Sequence, residues 1–128
     1  MTRVDRGIPA VLLDSPISLL GYALGTAFGW TWGMLWSTGR VERRGGLLVF
    51  RGMPNWTFGR GGVCVGGCFL TGTGPVDDRL LRHEAVHKRQ WRRYGILMPV
   101  VYLLAGRTPH TNRFEVEAGL ADGRYVPR

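Results

Sequence analysis

Cysteine is scarce in this chain: Cys64 and Cys68 are the two among 128 residues. Two thiols exclude a disulfide scaffold as the source of stability. On one extended strand they would share a face about 13 Å apart, at about 3.3 Å per residue, beyond disulfide reach. Small buried thiols in a reducing compartment is the reading that follows. Acids are also few, 9 Asp and Glu against 17 Lys and Arg, giving a net charge of +8 and a pI near 10.7. Such a balance favours anionic partners, nucleic acid or anionic lipid, without choosing between them. Internal repeats and low-complexity segments are missing, which leaves one domain with a modest core. Glycine, by contrast, is abundant at 20 residues, so tight turns and close backbone approaches are expected.

Charge is missing altogether from Ser15 to Gly39. Within that stretch Ile17 to Trp36 is mostly apolar, and about 20 residues at about 1.5 Å each can cross a bilayer core of about 30 Å. Gly21, Gly25, Gly29 and Gly33 recur at every fourth position, a ridge suited to close helix contact in a membrane. Trp30, Trp32 and Trp36 gather at the C-terminal end, where aromatics sit at interfaces, and Arg40, Arg43 and Arg44 follow. A spanning helix with those arginines places the C-terminal portion in the cytoplasm. The same ridge also fits a helix of a soluble cytoplasmic protein laid tightly on a sheet, and the mean hydropathy of the whole chain is only −0.04. No basic segment abuts the apolar run and no A-x-A site closes it, so a cleaved signal peptide is not expected. Residues 1–40 are therefore taken as an N-terminal segment carrying this helix, and residues 41–128 as the domain proper.

Residues 41–72 read as β structure. Val41 to Arg44, Gly45-Gly46 and Leu47 to Phe50 form a hairpin signature. Met53 to Trp56 is a turn, and Thr57-Phe58 and Val63 to Val65 flank a turn at Gly59 to Gly62. Cys68 to Thr71 continues the last strand past a bulge at Gly66-Gly67. Three or four short antiparallel strands are expected. Asp77 or Asp78 then caps a helix that runs to Tyr94 and stops at Gly95. A second helix covers Ile96 to Ala105 with Pro99 in its first turn, and a third runs from Arg113 to about Asp122. The fold class is α+β: a small antiparallel sheet backed by the glycine-rich helix and a charged helix, then two shorter helices.

The charged helix carries His83-Glu84-Ala85-Val86-His87. In H-E-x-x-H, two histidines on one helical face bind zinc while the glutamate serves a water. At about 100° per residue, His87, Gln90, Tyr94 and Leu80 lie within about 60° of His83, and Arg89 and Arg92 lie opposite. The histidines thus face inward. A catalytic zinc ion takes three protein ligands and keeps a position for water, so a third must come from downstream. Glu115 and Glu117 on the third helix are acidic candidates, and His110 is a histidine candidate on the preceding loop. Asn112 to Glu115 also fits a cap with a reciprocal glutamate, which would make Glu115 merely structural.

His83-Glu84-Ala85-Val86-His87 with Gln90-Trp91, followed by Asn112-Arg113-Phe114-Glu115-Val116-Glu117-Ala118, resembles the small gluzincin-type (HExxH…ExxA) zinc metallopeptidases. These include membrane-bound heat-shock and prenyl-protein peptidases and repressor-cleaving bacterial proteases. The resemblance covers about residues 60–122. It implies a zincin-like fold with Zn²⁺ held by His83, His87 and Glu115, Glu117 as the runner-up ligand, and Glu84 as catalytic base. Where the family often has an acid or amide after the E-x-x-A alanine, this chain has Gly119, which leaves the support of one histidine unassigned. The resemblance further implies an edge strand, here sought in Val63 to Leu70, that pairs with an extended substrate. His110, Arg113 and Tyr125 are candidates for stabilising an oxyanion.

The expected function is a zinc-dependent peptidase acting on a peptide or protein substrate. The main alternative is an inactive metal-binding accessory subunit of a membrane or other protein assembly, since little chain remains to shape substrate pockets. A third class, a nucleic-acid binder using Arg79, Arg82, Lys88, Arg89, Arg92 and Arg93, ranks last because no aromatic platform interleaves the basic face.

Overall fold

The computed structural model describes residues 6–39, 41–59 and 61–127. Arg40, expected to flank the first helix, and Arg60, in the Gly59 to Gly62 turn, lie outside the described residues.

Helix α1 spans Pro16–Trp36. Ser15 caps it, accepting the Ser18 amide at 3.2 Å while the Ser18 hydroxyl accepts the Ser15 amide at 2.8 Å. These reciprocal bonds satisfy exposed amides, and Pro16 starts the helix where its missing N–H costs nothing. Its buried residues are Ser18, Gly21, Gly25, Gly29 and Gly33. A Cβ on Gly21 would lie 2.3 Å from the Ile96 amide nitrogen, and one on Gly33 would lie 2.4 Å from the Phe50 ring. The glycine ridge is therefore a packing surface within this chain. It sets α1 against the end of the second helix at one extremity and against the sheet at the other.

The sheet has four short strands: β1 (Glu42–Arg44), β2 (Leu47–Phe50), β3 (Val63–Val65) and β4 (Cys68–Leu70). The β1–β2 hairpin turns at Gly45 (φ 58°) and Gly46 (φ 80°), the left-handed pair that a two-residue hairpin turn favours. In space the order is β1-β2-β4-β3. This corrects the antiparallel expectation, because β4 runs parallel to β2, with Val49 opposite Phe69. A parallel neighbour needs a crossover, supplied here by residues 51–67 with a 3₁₀ turn at Asn55–Thr57 and β3 itself. That 3₁₀ turn overlaps the turn expected at Met53 to Trp56 and takes in Thr57, where a strand was expected to begin. The bulge expected at Gly66-Gly67 is instead a hairpin turn that pairs Val65 with Cys68.

The hairpin separates the two thiols. Cys64 packs with Val49 and Phe69 on the face toward the second helix. Cys68 packs with Phe50 and Leu70 on the face toward α1. Both cysteines are buried and free. Burial raises the Cys64 thiol well above its ordinary pKa and the Cys68 thiol to about 11.

Helix α2 (Asp78–Tyr94) lies on the opposite face from α1. Asp77 caps it through the Leu80 amide at 2.9 Å, and Gly95 ends it with φ 61°. A 3₁₀ turn, Gly95–Leu97, leads into α3 (Met98–Leu104), with Pro99 in its first turn. The Asn112 amide group ties the end of α3 to the next helix, donating to the Tyr102 and Gly106 carbonyls. Helix α4 (Arg113–Ala118) is shorter than expected. Gly119 leaves helical geometry at φ 102°, and a run of turns follows in place of another helical turn.

Candidate metal centre

Helical phasing sends His83, Glu84, His87 and Gln90 inward from α2, and all four are buried. From α4, Phe114, Glu115 and Ala118 face the same interior. The Nε2 atoms of His83 and His87 lie 3.1 Å apart. Oε1 of Glu115 lies 3.1 Å from the first and 2.9 Å from the second. These three side chains could hold a metal ion.

The far side of each ring is already committed. His83 Nδ1 sits 2.8 Å from the Gly119 carbonyl, which can only accept, so Nδ1 carries the proton. His87 Nδ1 sits 2.8 Å from Oε1 of Gln90. The Gln90 amide nitrogen donates to the Phe114 carbonyl at 3.0 Å and to Glu117 at 3.1 Å, which fixes its oxygen toward His87. With both Nδ1 atoms protonated, the neutral rings direct Nε2 lone pairs at each other and at a carboxylate oxygen. Three electron-rich atoms so close together repel unless a cation sits among them.

The electrostatics follow. Burial alone would lower His87, but the Glu115 hydrogen bond and the charges of Glu84 and Glu115 raise it above its ordinary value. Burial alone would raise Glu115, but bonds to His83, His87 and Tyr102 hold it well below the usual carboxylate range. Glu84 is raised, chiefly by burial and also by the charge of Glu115, against the opposing pull of both histidines. Tyr102 is pushed up by burial and by its bond to Glu115.

Glu84 sits outside the cluster and lines a cleft of about 250 Å³ with Gly61, Gly62, Phe69, Gly123 and Tyr125. Glu84 is itself buried and borders the cleft, whereas His83, His87 and Glu115 do not line it. Glu117 accepts from Gln90 and is an outer support, not one of the convergent atoms. His110 is exposed on the loop before α4. Arg113 lies over the Phe114 ring at 4.0 Å and donates to the Tyr94 hydroxyl. Tyr125 does reach the site, its hydroxyl 3.3 Å from Oε2 of Glu115 and its ring 5.9 Å from His83.

Two contributors lacked a sequence signal. The Tyr102 hydroxyl, on α3, donates to Oε2 of Glu115, and nothing in an apolar decapeptide marks one tyrosine for that role. The Gly119 carbonyl does for His83 what an acid or amide was expected to do, and a main-chain acceptor is invisible in residue identity. Gln90 was within view, since it shares the histidine face. The edge strand sought in Val63 to Leu70 is narrower than expected, because β4 is paired on both sides and β3 alone of the two lies at a sheet edge. The Cys64 carbonyl of β3 is also taken by the Trp91 indole at 3.0 Å.

No family model matches the chain, and neither the curated proteins nor the solved structures include a match to it.

Proposed function

We propose that this chain is a zinc-dependent peptidase whose metal ligands are His83, His87 and Glu115. The observation that carries the reading is the convergence of two Nε2 lone pairs and one carboxylate oxygen while both Nδ1 atoms are engaged elsewhere. Two imidazoles and one carboxylate form the donor set of catalytic zinc, with a position left for water. The resemblance of H-E-x-x-H and the later E-x-x-A to gluzincin-type peptidases, and with it a zincin-like fold, supports the same assignment. Bound zinc supplies Lewis acidity that makes water acidic near neutral pH.

The remaining roles belong to the chain. Glu84, raised by burial, would take a proton from water and pass it to a leaving amine. Gln90 and the Gly119 carbonyl orient the two rings, and Tyr102 orients Glu115. Tyr125, bordering the cleft, is the remaining oxyanion candidate once His110 and Arg113 are set aside. An extended peptide would pair along the outer edge of β3, where the Cys64 carbonyl is already engaged by Trp91. Attachment to a membrane through the apolar residues of α1 completes the reading, because α1 is long and apolar enough to cross one.

The size of the cleft favours a second reading, a metal-binding accessory subunit without catalysis. Elemental analysis of purified protein separates these readings. One zinc per chain, lost in His87→Ala, with peptide cleavage lost in Glu84→Gln while zinc is retained, is the expected result. Zinc without cleavage in the wild type establishes the accessory role. A metal-replete preparation that binds no zinc overturns both.

A further inference from the structure

The same glycines that make α1 a candidate span are used up inside this chain. Gly21 meets Gly95 and Ile96, Gly25 meets the Trp91 ring, Gly29 meets Val65 and Cys68, and Gly33 meets Phe50. From its second turn to its last, α1 lies against the second helix or the sheet. Upright in a bilayer, it would draw β2, β3 and β4 into hydrocarbon with it. Open sheet edges are not tolerated there, because unpaired backbone groups find no partners.

The opposite face of α1 is apolar and bare. Leu20, Leu24, Phe28 and Leu35 are each more than half exposed. A second apolar stripe begins at Ile96, in the turn that meets Gly21, and runs along α3. Ile96, Val100, Leu103 and Leu104 fall at i, i+4, i+7 and i+8, and all are exposed. Exposed apolar stripes on two helices exceed ordinary surface scatter. Trp30 and Trp56 are exposed toward the C-terminal end of α1, with Trp56 packed on Trp36 at 4.6 Å. Such amphipathic rings favour the boundary between lipid and water.

Charge selects the partner. Between residues 6 and 41 Asp14 is the single acid, and Arg93 pairs with it. From Ala85 to Phe114 there is no acid at all, against Lys88, Arg89, Arg92, Arg93, Arg107 and Arg113. Arg92 lies close enough to Tyr22 of α1 to act on its hydroxyl, and Arg107 follows the α3 stripe. An apolar face with Arg92 and Arg107 alongside, carried by segments almost free of carboxylate, matches an anionic lipid surface.

We infer that the protein is monotopic: α1 lies in the plane of one anionic leaflet beside α3, and the sheet and metal centre stay outside the hydrocarbon. The inference rests on the membrane attachment read above and specifies its geometry. Helices of this kind bury one apolar face near the headgroup boundary, with basic residues alongside.

Two measurements test it on the full chain. In vesicle flotation, the protein rises with phosphatidylcholine vesicles containing phosphatidylglycerol and much less with phosphatidylcholine alone. Leu24→Glu with Leu103→Glu lowers that partition at least about tenfold. Both sites are exposed, and an unchanged thermal transition shows that the fold is intact. Arg107→Glu weakens binding to the anionic vesicles alone. Separately, Gly7→Cys and Gly39→Cys bracket α1 at exposed positions. In bacterial inner-membrane vesicles of known orientation, a membrane-impermeant maleimide reaches both from the same side, with the wild type and its buried thiols as control. Labelling from opposite sides overturns the in-plane geometry and leaves attachment standing. Absence of flotation with either lipid overturns attachment as well, as does a stable dimer in lipid-free buffer that ignores vesicles and dissociates on Leu24→Glu.

Discussion

His87 shows how one residue links proton, metal and fold. Its proton is held by Glu115 and Glu84 against the cost of burial, and a metal ion must displace it. On the proposed zinc reading, affinity should therefore fall as pH drops through the raised His87 value, by about tenfold per pH unit for one proton. The metal-free fold has the opposite dependence. The raised His87 contributes stability that is complete below about pH 6.5, its unfolded value, and is lost as pH rises through the native one. The depressed Glu115 contributes stability present above about pH 4.3 and lost as pH falls toward its native value. The thermal midpoint of metal-free protein should accordingly peak between about pH 4.3 and 6.5, and excess zinc should move that maximum upward. Scanning calorimetry at several pH values, with and without zinc, checks both statements. At the same scale, Gln90→Ala removes the acceptor at His87 Nδ1 and the tie to Phe114. Loss of such ring support costs about 10- to 100-fold in metal affinity, measurable by competition with a chelator of known strength.

Among the elements, α1 makes the most definite stability prediction. Alanine exceeds glycine by about 1 kcal/mol in a helix interior. At Gly21 that gain is overridden, because the new methyl would meet main-chain atoms of Gly95 and Ile96 that cannot rotate away. Overpacking of this kind costs about 1–3 kcal/mol. Gly21→Ala and Gly33→Ala should lower the thermal midpoint by several degrees, whereas Gly39→Ala, with nothing within 4 Å, should leave it nearly unchanged. Equal midpoints for all three would show that α1 does not dock on the domain in solution. Local chemistry made several elements readable in advance. Gly95 stops α2, Gly45-Gly46 turns the first hairpin, and Pro99 begins α3, each through backbone preferences confined to a few residues. Strand order was not readable. The parallel pairing of β2 with β4 depends on a crossover through residues 51–67, and no local preference states which strand a hairpin docks beside. Glu115 was ambiguous for a related reason: Asn112-x-x-Glu115 fits a cap as well as a ligand, and only α2 and α3 packing beside it directs the carboxylate inward.

Across the whole molecule, the centre is assembled from parts far apart in the chain. Glu115 meets a histidine 28 positions earlier, Tyr102 steadies it from α3, and the segment after α4 folds back over the ring of His83. Periodicity exposes the α2 face but cannot reveal that closure, which is a contact between segments with no pattern in common. The closure ends in a compact series of turns. Gly123 lies so near His83 that a Cβ there would stand 2.4 Å from the ring, and the Tyr125 amide donates to the Leu120 carbonyl at 2.8 Å. Arg124, between them, is exposed and lies 3.4 Å from Asp77 at the start of α2. Gly119, which begins these turns, is the residue whose carbonyl holds His83. If a metal ion occupies the proposed centre, the protease sensitivity of the chain end should report it. Trypsin should cut after Arg124 readily in chelator-treated protein and slowly once zinc is restored, as read by the loss of the last four residues in intact mass. A bond deep in the interior would then be followed from one scissile bond near the chain end.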